Sequence, residues 1–505
     1  MNIPWQNLGD LIDRSSDLDR PALVDLCVAD QPVTISYAEF DRYTGGVAAW
    51  LAARGYQPGD AIAIASLNRA EYLYAYFGIM RAGMVAVHLN IKLPQPTIDI
   101  LVREGGVKLA FVDSARRDGL AKLVPVVDFD DVSAECFGAA IVPQDFATVM
   151  PAPGAVAQML YTSGSTGIPK GVPLTHEGQL WALAAVVRKG HAAGDRYLVA
   201  QPLFHMNGLF MAKRAVSTGA MLVILPSFDA TRYVDALSHY RINTLTAVPT
   251  MFARIIKDPA LLEGRDFSGL EVCVLGSAPM THALLGRIQA AFPHVTFIHT
   301  YGTTEAGPAV FGPHPRGLPT PPLALGYPIA EGEVKLVGGA DADEGTLWMR
   351  NPAVTQGYHG LPERSAKVLK DGWYDSGDVM QRDAQGFYYF VGRADDMFVC
   401  SGENIYPGEV ELMLEKHPLI QQACVVPLPD EERSQVPVAF VVPKAGSDLN
   451  FQEVKRHSLE NGPAYQYPRR VAFLSELPWA GTHKIDRTAL VKMARELEAE
   501  GGWSS

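Results

Sequence analysis

Cysteine is scarce in this 505-residue chain. There are five (Cys27, Cys136, Cys273, Cys400, Cys424), an odd and scattered set with no two at metal-ligand spacing. Neither a disulfide framework nor a cysteine-held metal is expected, and the thiols read as reduced packing residues. No apolar run is long enough to span a bilayer. The amino terminus, Met1-Asn-Ile-Pro-Trp-Gln-Asn-Leu-Gly-Asp10, has no basic stretch leading into an apolar one, and Gly502-Trp503-Ser504-Ser505 carries no address motif, so a cytoplasmic location is expected. Positive charge is also short. Against 55 Asp and Glu stand 43 Lys and Arg, a net charge of -12, which argues against a general nucleic-acid surface. An anionic substrate would have to be drawn in by local positive groups against the overall field. Internal repeats and low-complexity tracts are missing too. What remains, 48% hydrophobic and 19% charged, is the composition of a globular enzyme too long for a single ordinary core.

One stretch is unusually rich. Tyr161-Thr-Ser-Gly-Ser-Thr-Gly-Ile-Pro-Lys170-Gly171 packs four Ser and Thr hydroxyls, three glycines and a lysine into eleven residues. Val156-Ala-Gln-Met-Leu-Tyr161 before it reads as a buried strand. Pro173-Leu174-Thr175-His176 after it leads towards a helix, with Thr175 as N-cap. The expectation is a flexible loop from strand to helix. Its amides, hydroxyls and lysine could surround phosphate oxygens, and its glycines would admit the polyanion closely. The Walker pattern does not apply, because Lys170 follows Pro169 and precedes Gly171.

Along the rest of the chain strands alternate with helices. Ser36-Tyr-Ala-Glu39 is a capping box, opening a helix that ends at Gly55. Strands follow at Ala61–Ala65, Val85–His88 and Lys108–Val112, with helices ending near Arg81 and Glu104. Pro143 to Gly154 reads as a connector. Strands at Arg196–Ala200, Met221–Leu225, Thr244–Val248, Val272–Leu275 and Thr296–His299 continue the alternation. This pattern predicts an α/β fold with mostly parallel, doubly wound sheets covered on both faces. Ligands in such folds gather at the carboxyl ends of strands. There lie Gln201-Pro-Leu-Phe-His205-Met-Asn-Gly208, Gly276-Ser-Ala-Pro279 and Thr300-Tyr-Gly-Thr-Thr-Glu305. After about Pro308, short alternating runs (Glu333–Val337, Thr346–Arg350, Gly386–Val391) predict a small antiparallel β unit. From about Asp396 a separate apolar periodicity, with a helix at Glu409–Lys416 and strands near Ala423–Val426 and Val438–Val442, predicts a small α+β domain.

Taken in order, these segments resemble the adenylate-forming superfamily of acyl- and aryl-CoA ligases, luciferases and peptide-synthetase adenylation domains. The resemblance rests on the hydroxyl-rich loop, Tyr301-Gly-Thr-Thr-Glu305, Ser376-Gly377-Asp378 and Gly392-Arg393-Ala-Asp395-Asp396. It rests also on Ser401-Gly402-Glu403-Asn404-Ile405-Tyr406-Pro407-Gly408-Glu409-Val410-Glu411 and on Pro478 through Arg487 with Lys484. The detail from Arg393 to Glu411 looks most like bacterial aryl- and acyl-CoA ligases such as the 4-chlorobenzoate enzyme. The resemblance implies ATP, Mg²⁺ and coenzyme A, an acyl-adenylate, and then a thioester. It implies an AMP- and acid-binding domain over residues 1–394, and a mobile carboxyl-terminal domain over 395–505 hinged near Asp395.

Residue roles follow from the same matches. Thr162, Ser163, Gly164, Ser165, Thr166, Gly167 and Lys170 would hold phosphates, and Thr162 with Glu305 the magnesium ion. Gly276, Ser277, Ala278, Thr300, Tyr301, Gly302, Thr303 and Thr304 would line the adenine side, with Tyr301 stacked on the base. Asp378 would accept from the ribose hydroxyls, with Arg393 donating beside it. Lys484 would follow charge from the carboxylate to the α-phosphate; Thr482-His483 stands before it where relatives have Ser-Gly. Ser401, Gly402, Glu403 and Tyr465 would contact coenzyme A. His205 would gate the acid pocket, with Met206, Asn207, Val248, Thr250, Ser277, Gly302, Gly307 and Pro308 around it. Most of these are small or apolar, so a monocarboxylate leads; the likeness over Arg393 to Glu411 implies an aromatic one, with a medium- or long-chain fatty acid as the alternative. A freestanding adenylation enzyme loading a carrier protein is the other alternative, and a luciferase-type oxygenase or a non-catalytic nucleotide binder would each leave a different product.

Overall fold

The computed structural model describes residues 3–503 apart from 28–30, 132, 134–135, 163–167, 188–193, 277–279, 281, 340, 401–402, 431–432 and 481–484, together with the side chains of Ala283, Glu403, Asn404 and Ser434. Two large sheets form the amino-terminal region. The first runs in the order Thr296–His299, Val272–Leu275, Thr244–Ala247, Arg196–Val199, Met221–Ile224, Pro21–Asp25, Val33–Ser36. The second runs Val126–Asp128, Val107–Val112, Ala61–Ala65, Val85–His88, Val156–Thr162, Lys170–Thr175. In each, every neighbouring pair is parallel except the last.

Strand residues divide between faces with a period of two. Ile62 and Ile64 join one core cluster, and Ala63 and Ala65 join another. The first cluster also takes in Leu23 and Leu222 from the other sheet and Tyr76, Leu180 and Leu209 from the helices Ala70–Arg81, His176–Val186 and Met206–Thr218. These helices therefore fill the layer between the two sheets. Both sheets are apolar on both faces, which is why their strands read as continuous hydrophobic runs rather than alternating ones. The capping box forms as read: Ser36 accepts from Glu39 N, and the Glu39 carboxylate accepts from Ser36 N.

One expectation is corrected. The hydroxyl-rich loop does not run from strand to helix. It turns back into a second strand, Lys170–Thr175, antiparallel to Val156–Thr162 with Thr162 opposite Lys170. Pro173 disguised that strand as a helix approach. It is tolerated because the strand lies at the sheet edge. Thr175 then caps the helix His176–Val186 by accepting from Gly178 N.

The next region is antiparallel, ordered Glu333–Gly338, Glu344–Arg350, Trp373–Arg382, Leu369–Lys370, with Tyr388–Arg393 also paired to Trp373–Arg382. The last is a smaller domain with its own core. In its sheet the hairpin Ile420–Asp430 and Ser434–Pro443 is flanked by Phe398–Cys400 and Arg470–Phe473, and the helices Pro407–Glu415 and Arg487–Glu500 pack on it. Among the described residues, no helix is long and apolar enough to cross a membrane.

Candidate active site

Three elements from different parts of the chain meet at Glu305. Thr162, the last residue of its strand, donates its hydroxyl to Glu305 Oε1 at 3.4 Å. Tyr358 donates to the same oxygen at 3.0 Å. The backbone of Glu305 is fixed as well, its carbonyl accepting from Thr355 N at 2.7 Å. Lys170, opposite Thr162, lays its ammonium 4.1 Å from the centre of the Tyr358 ring. Partial burial pulls the Lys170 pKa down, while the Glu305 carboxylate works in the other direction. Arg364 and Arg393 also depress it, so this end of the site concentrates positive charge.

A second cluster adjoins the first. The hydroxyl of Tyr301 donates to Asp378 Oδ2, and Arg393 donates to Asp378 Oδ1 at 2.9 Å and to the carbonyl of Ser376 at 2.8 Å. Arg393 also holds Asp395 at 3.0 Å. Burial opposes the charge on Arg393, but Asp378 and Asp395 outweigh it and raise its pKa above the ordinary arginine range. Burial, followed by the neighbouring Asp378, pushes the Tyr301 phenol well up. Tyr374 links the clusters: burial raises its pKa first, then Glu305, Tyr358, Tyr301 and Asp378, all within electrostatic reach.

The backbone explains this convergence. Thr300 N donates to Leu275 O at 2.8 Å, which ties the Tyr301 segment to the neighbouring strand tip. Thr303 and Gly307 exchange backbone hydrogen bonds, folding Thr303-Thr304-Glu305 into a tight loop that aims Glu305 inward. On the strand Trp373–Arg382, Tyr374, Ser376 and Asp378 alternate inward and are buried. The two strands that carry Asp378 and Arg393 pair with those residues opposite each other.

The described residues expected around the acid lie at neighbouring strand tips and in the Glu305 loop. His205 is the N-cap of the helix Met206–Thr218, with its ring edge-on to Phe204. Asn207 Oδ1 accepts from Thr246 Oγ1 at 2.8 Å, and Gln201 Nε2 donates to the Thr246 carbonyl. Val248 caps the helix Pro249–Lys257, whose first turn holds Thr250. Gly276 follows its strand directly, and a Cβ there would lie 2.7 Å from Thr300 Cγ2, so the adenine-side segments abut. Gly302 and Pro308 sit on the Glu305 loop. Tyr465 packs against the core of the carboxyl-terminal domain, and Glu403 begins the short strand Glu403–Ile405. Lys484, Ser163, Gly164, Ser165, Thr166, Gly167, Ser277, Ala278, Ser401 and Gly402 lie outside the described residues.

Tyr358, Tyr374 and Arg364 were not anticipated. Tyr374 had a usable signal, since it stands four residues before Asp378 on what becomes one face of a strand. Tyr358 and Arg364 had none, because their contacts to Glu305 and Lys170 join distant parts of the chain.

The model of the AMP-binding enzyme matches residues 14–359, and that of the AMP-binding enzyme C-terminal domain matches residues 409–484. The chain belongs to the AMP-binding enzyme family. A feruloyl-CoA synthase of Amycolatopsis sp is 32% identical over 465 residues, 89% of this chain and 92% of that one. A fatty acid–[acyl-carrier-protein] ligase, ScoC, of Streptomyces coeruleorubidus is 30% identical over 475 residues, 90% of this chain and 91% of its own length. The crystal structure of the anthranilate CoA ligase AuaEII in complex with anthranoyl-AMP superposes with a TM-score of 0.86 at 26% identity, covering 99% of each chain. In this AMP-binding enzyme, as in that structure, a large α/β region precedes a smaller carboxyl-terminal domain.

Proposed function

We propose that this enzyme activates a carboxylic acid as its adenylate and passes the acyl group to the thiol of coenzyme A. In the first half-reaction a carboxylate oxygen bonds to the α-phosphorus of ATP while the bond from that phosphorus to the bridging oxygen breaks, and pyrophosphate leaves. In the second, the thiol sulfur bonds to the acyl carbon, AMP departs with the electrons of the cleaved carbon–oxygen bond, and the thiol proton passes to solvent. The observation that carries this reading is the adjacency of two unlike clusters. The Thr162–Glu305–Lys170 end suits phosphates, and the Tyr301–Asp378–Arg393 end suits a sugar diol.

Asp378 would accept from the two ribose hydroxyls, with Arg393 holding the carboxylate in position. Tyr301 would flank the adenine against the Gly276 segment. Lys170 and the hydroxyls of the loop would hold the β- and γ-phosphates and then pyrophosphate. Thr162 and Glu305 supply only a hydroxyl and a carboxylate, and among the described residues no group of three His, Cys, Asp or Glu could hold a metal. This donor pair fits a magnesium ion that keeps water and phosphate oxygens as its other ligands. When bound, such an ion neutralises charge on the phosphate oxygens. Lys484 is assigned the moving negative charge of adenylation, because an ammonium on a flexible stem can follow it. Coenzyme A would use the carboxyl-terminal domain (residues 395–505), with Ser401, Gly402, Glu403 and Tyr465 as its contacts, after that domain turns about Asp395.

An aromatic acid is favoured by the relatives named for ferulate and anthranilate. The fatty-acid and carrier-protein alternatives are kept open by ScoC. A cytoplasmic location is consistent with five cysteines that are all free thiols. The test is a panel of carboxylic acids assayed for pyrophosphate and AMP release with and without coenzyme A. Acid-dependent pyrophosphate release, with AMP turnover that requires coenzyme A, is expected. Acid-dependent pyrophosphate release that coenzyme A does not carry on to AMP turnover would move the acceptor to a carrier protein. ATP binding with no acid-dependent pyrophosphate would remove the catalytic reading altogether.

A further inference from the structure

Lys213 is completely buried within the helix Met206–Thr218. Its ammonium donates to Gln179 Oε1 at 2.7 Å and lies 5.5 Å from the centre of the Phe210 ring. Among the described residues no carboxylate pairs with it, and burial pulls its pKa down to about 7. The same Gln179 oxygen accepts from Gln158 Nε2 at 3.1 Å, and Gln158 Oε1 accepts from the hydroxyl of Tyr76 at 2.6 Å. The Tyr76 ring stands edge-on to His88, whose Nδ1 is 2.7 Å from the hydroxyl of Tyr72. Two buried nitrogens in this network have no partner, Gln179 Nε2 and His88 Nε2. A buried charge without a counter-charge and buried nitrogens without acceptors both oppose folding. An apolar side chain of equal length would sit more stably here. The cluster therefore has spare hydrogen-bonding capacity that folding alone does not use.

Its position says what could use it. Met206, Phe210 and Lys213 recur at i, i+4 and i+7 on one face of their helix. Lys213 is thus about 10 Å along the axis from Met206, the first helical residue after His205. On the facing helix His176–Val186, Gln179 stands one turn before Ala182. A Cβ on Gly307, in the loop that carries Glu305, would lie 3.7 Å from the Ala182 Cβ. The helix that carries Gln179 thus packs, through two small residues, against the loop that carries Glu305.

We infer that Lys213 and Gln179 form a distal subsite of the acid pocket that receives a hydrogen-bond-accepting oxygen, as hydroxyl, carbonyl or carboxylate, borne at the far end of the acid. The inference rests on the acid-ligase reading and narrows its substrate class. Lys213 donates to that oxygen with the hydrogens that Gln179 leaves free, and Gln179 Nε2 supplies a second donor. A site built around such donors rejects an acid that lacks the oxygen, because its own polar groups then stay unpaired. Lys213 is a specificity-determining residue in this scheme and takes no part in the bond changes.

The experiment uses the full-length enzyme and matched acids: cinnamate, 4-hydroxycinnamate and 4-carboxycinnamate, with octanoate and octanedioate as a flexible pair. The readout is kcat/KM for pyrophosphate release. The wild type is expected to favour the oxygen-bearing member of at least one set by about 10²-fold or more. Lys213→Met is expected to erase that preference, the oxygen-bearing acid losing and the plain acid of the same set gaining kcat/KM, and to melt no lower than the wild type below pH 7. Gln179→Leu is expected to reduce the preference partially, and it serves as the second variant if Lys213→Met does not fold. Equal losses across plain and oxygen-bearing acids, or a wild type indifferent to the distal oxygen, would overturn the subsite. Failure of every acid to release pyrophosphate would instead overturn the ligase reading.

Discussion

Two enclosed charges of this enzyme, one in each region, are treated in opposite ways. In the large region Lys213 is shut inside with an amide as its partner and no counter-ion among the described residues. In the small domain the enclosed Glu411 is matched by Arg487, which binds it at 2.8 Å and also donates to the Val425 carbonyl. Arg487 further acts on Asp396, beside the proposed hinge residue. The matched pair is complete and fixes a location: it anchors the start of the helix Arg487–Glu500, three residues after Lys484. The unmatched lysine is incomplete and leaves binding capacity. The Arg487–Glu411 pair thus serves the fold, whereas Lys213 is the basis of the proposed subsite.

The largest effect that would sharpen this contrast is at Lys484, three residues before Arg487 in the sequence. Lys484→Ala should slow adenylation by about 10²–10³-fold and spare thioester formation from preformed adenylate; single-turnover assays of each half-reaction separate the two. Equal slowing of both would break the assignment. Next comes the junction between the regions. Asp395→Pro should keep adenylation and lose thioester formation, because a fixed φ stops the proposed rotation; normal overall turnover would refute it.

Smaller effects test the charges themselves. Arg487→Met strands Glu411 and should destabilise the small domain by roughly 2 kcal/mol, below the range for a fully enclosed pair because Arg487 keeps about a third of its exposure. Adding Glu411→Gln, which removes the stranded charge but keeps an acceptor for Val425 N, should recover most of that loss in a denaturant titration. The gentlest test is pH. His88 is held neutral by burial, with Lys213 adding to the effect, and its pKa falls to about 3 from 6.5. Below pH 6.5 the unfolded chain gains a proton that the folded one refuses, so stability should decline as pH drops from 6.5 towards 3. For Lys213 the window lies between about 7 and 10.5, where only the unfolded chain keeps the proton, so stability should climb with pH. Tyr72, Tyr76, Gln158 and Gln179 surround these two groups, and the tyrosines stay protonated across the lower window. In melting curves, Lys213→Met should lose the climb across the upper window and should decline less steeply across the lower one, because Lys213 adds to the depression of His88.

Much of this was readable from residues alone, where the determinant is local. The Ser36–Glu39 box, the Thr175 cap and the run Ala61–Ala65 each depend on neighbours within one turn or one strand, and each formed as expected. The strand tips also held their polar segments, because parallel β–α alternation fixes which end faces the ligand. What escaped was set by distant partners. The strand Lys170–Thr175 exists because its pairing with Val156–Thr162 outweighs the turn-like look of Pro173. Tyr358 reaches Glu305 across 53 residues, and Lys213 reaches Gln179 across 34. No periodicity reports such meetings. A buried lysine on an amphipathic helix looks in sequence like any solvated one until the facing helix is known.

Gly408 opens the helix Pro407–Glu415 where it leans on the strand Tyr388–Arg393, and a Cβ there would meet the Val391 carbonyl at 2.7 Å. The seam between the two regions is therefore closed to the thickness of a single hydrogen. A methyl group added at that point would act as a shim, tilting the small domain off its seat without touching nucleotide, acid or thiol. One atom could thus bias which half of the catalytic cycle the enzyme prefers, and the seam becomes a place to tune the timing of the reaction separately from its chemistry.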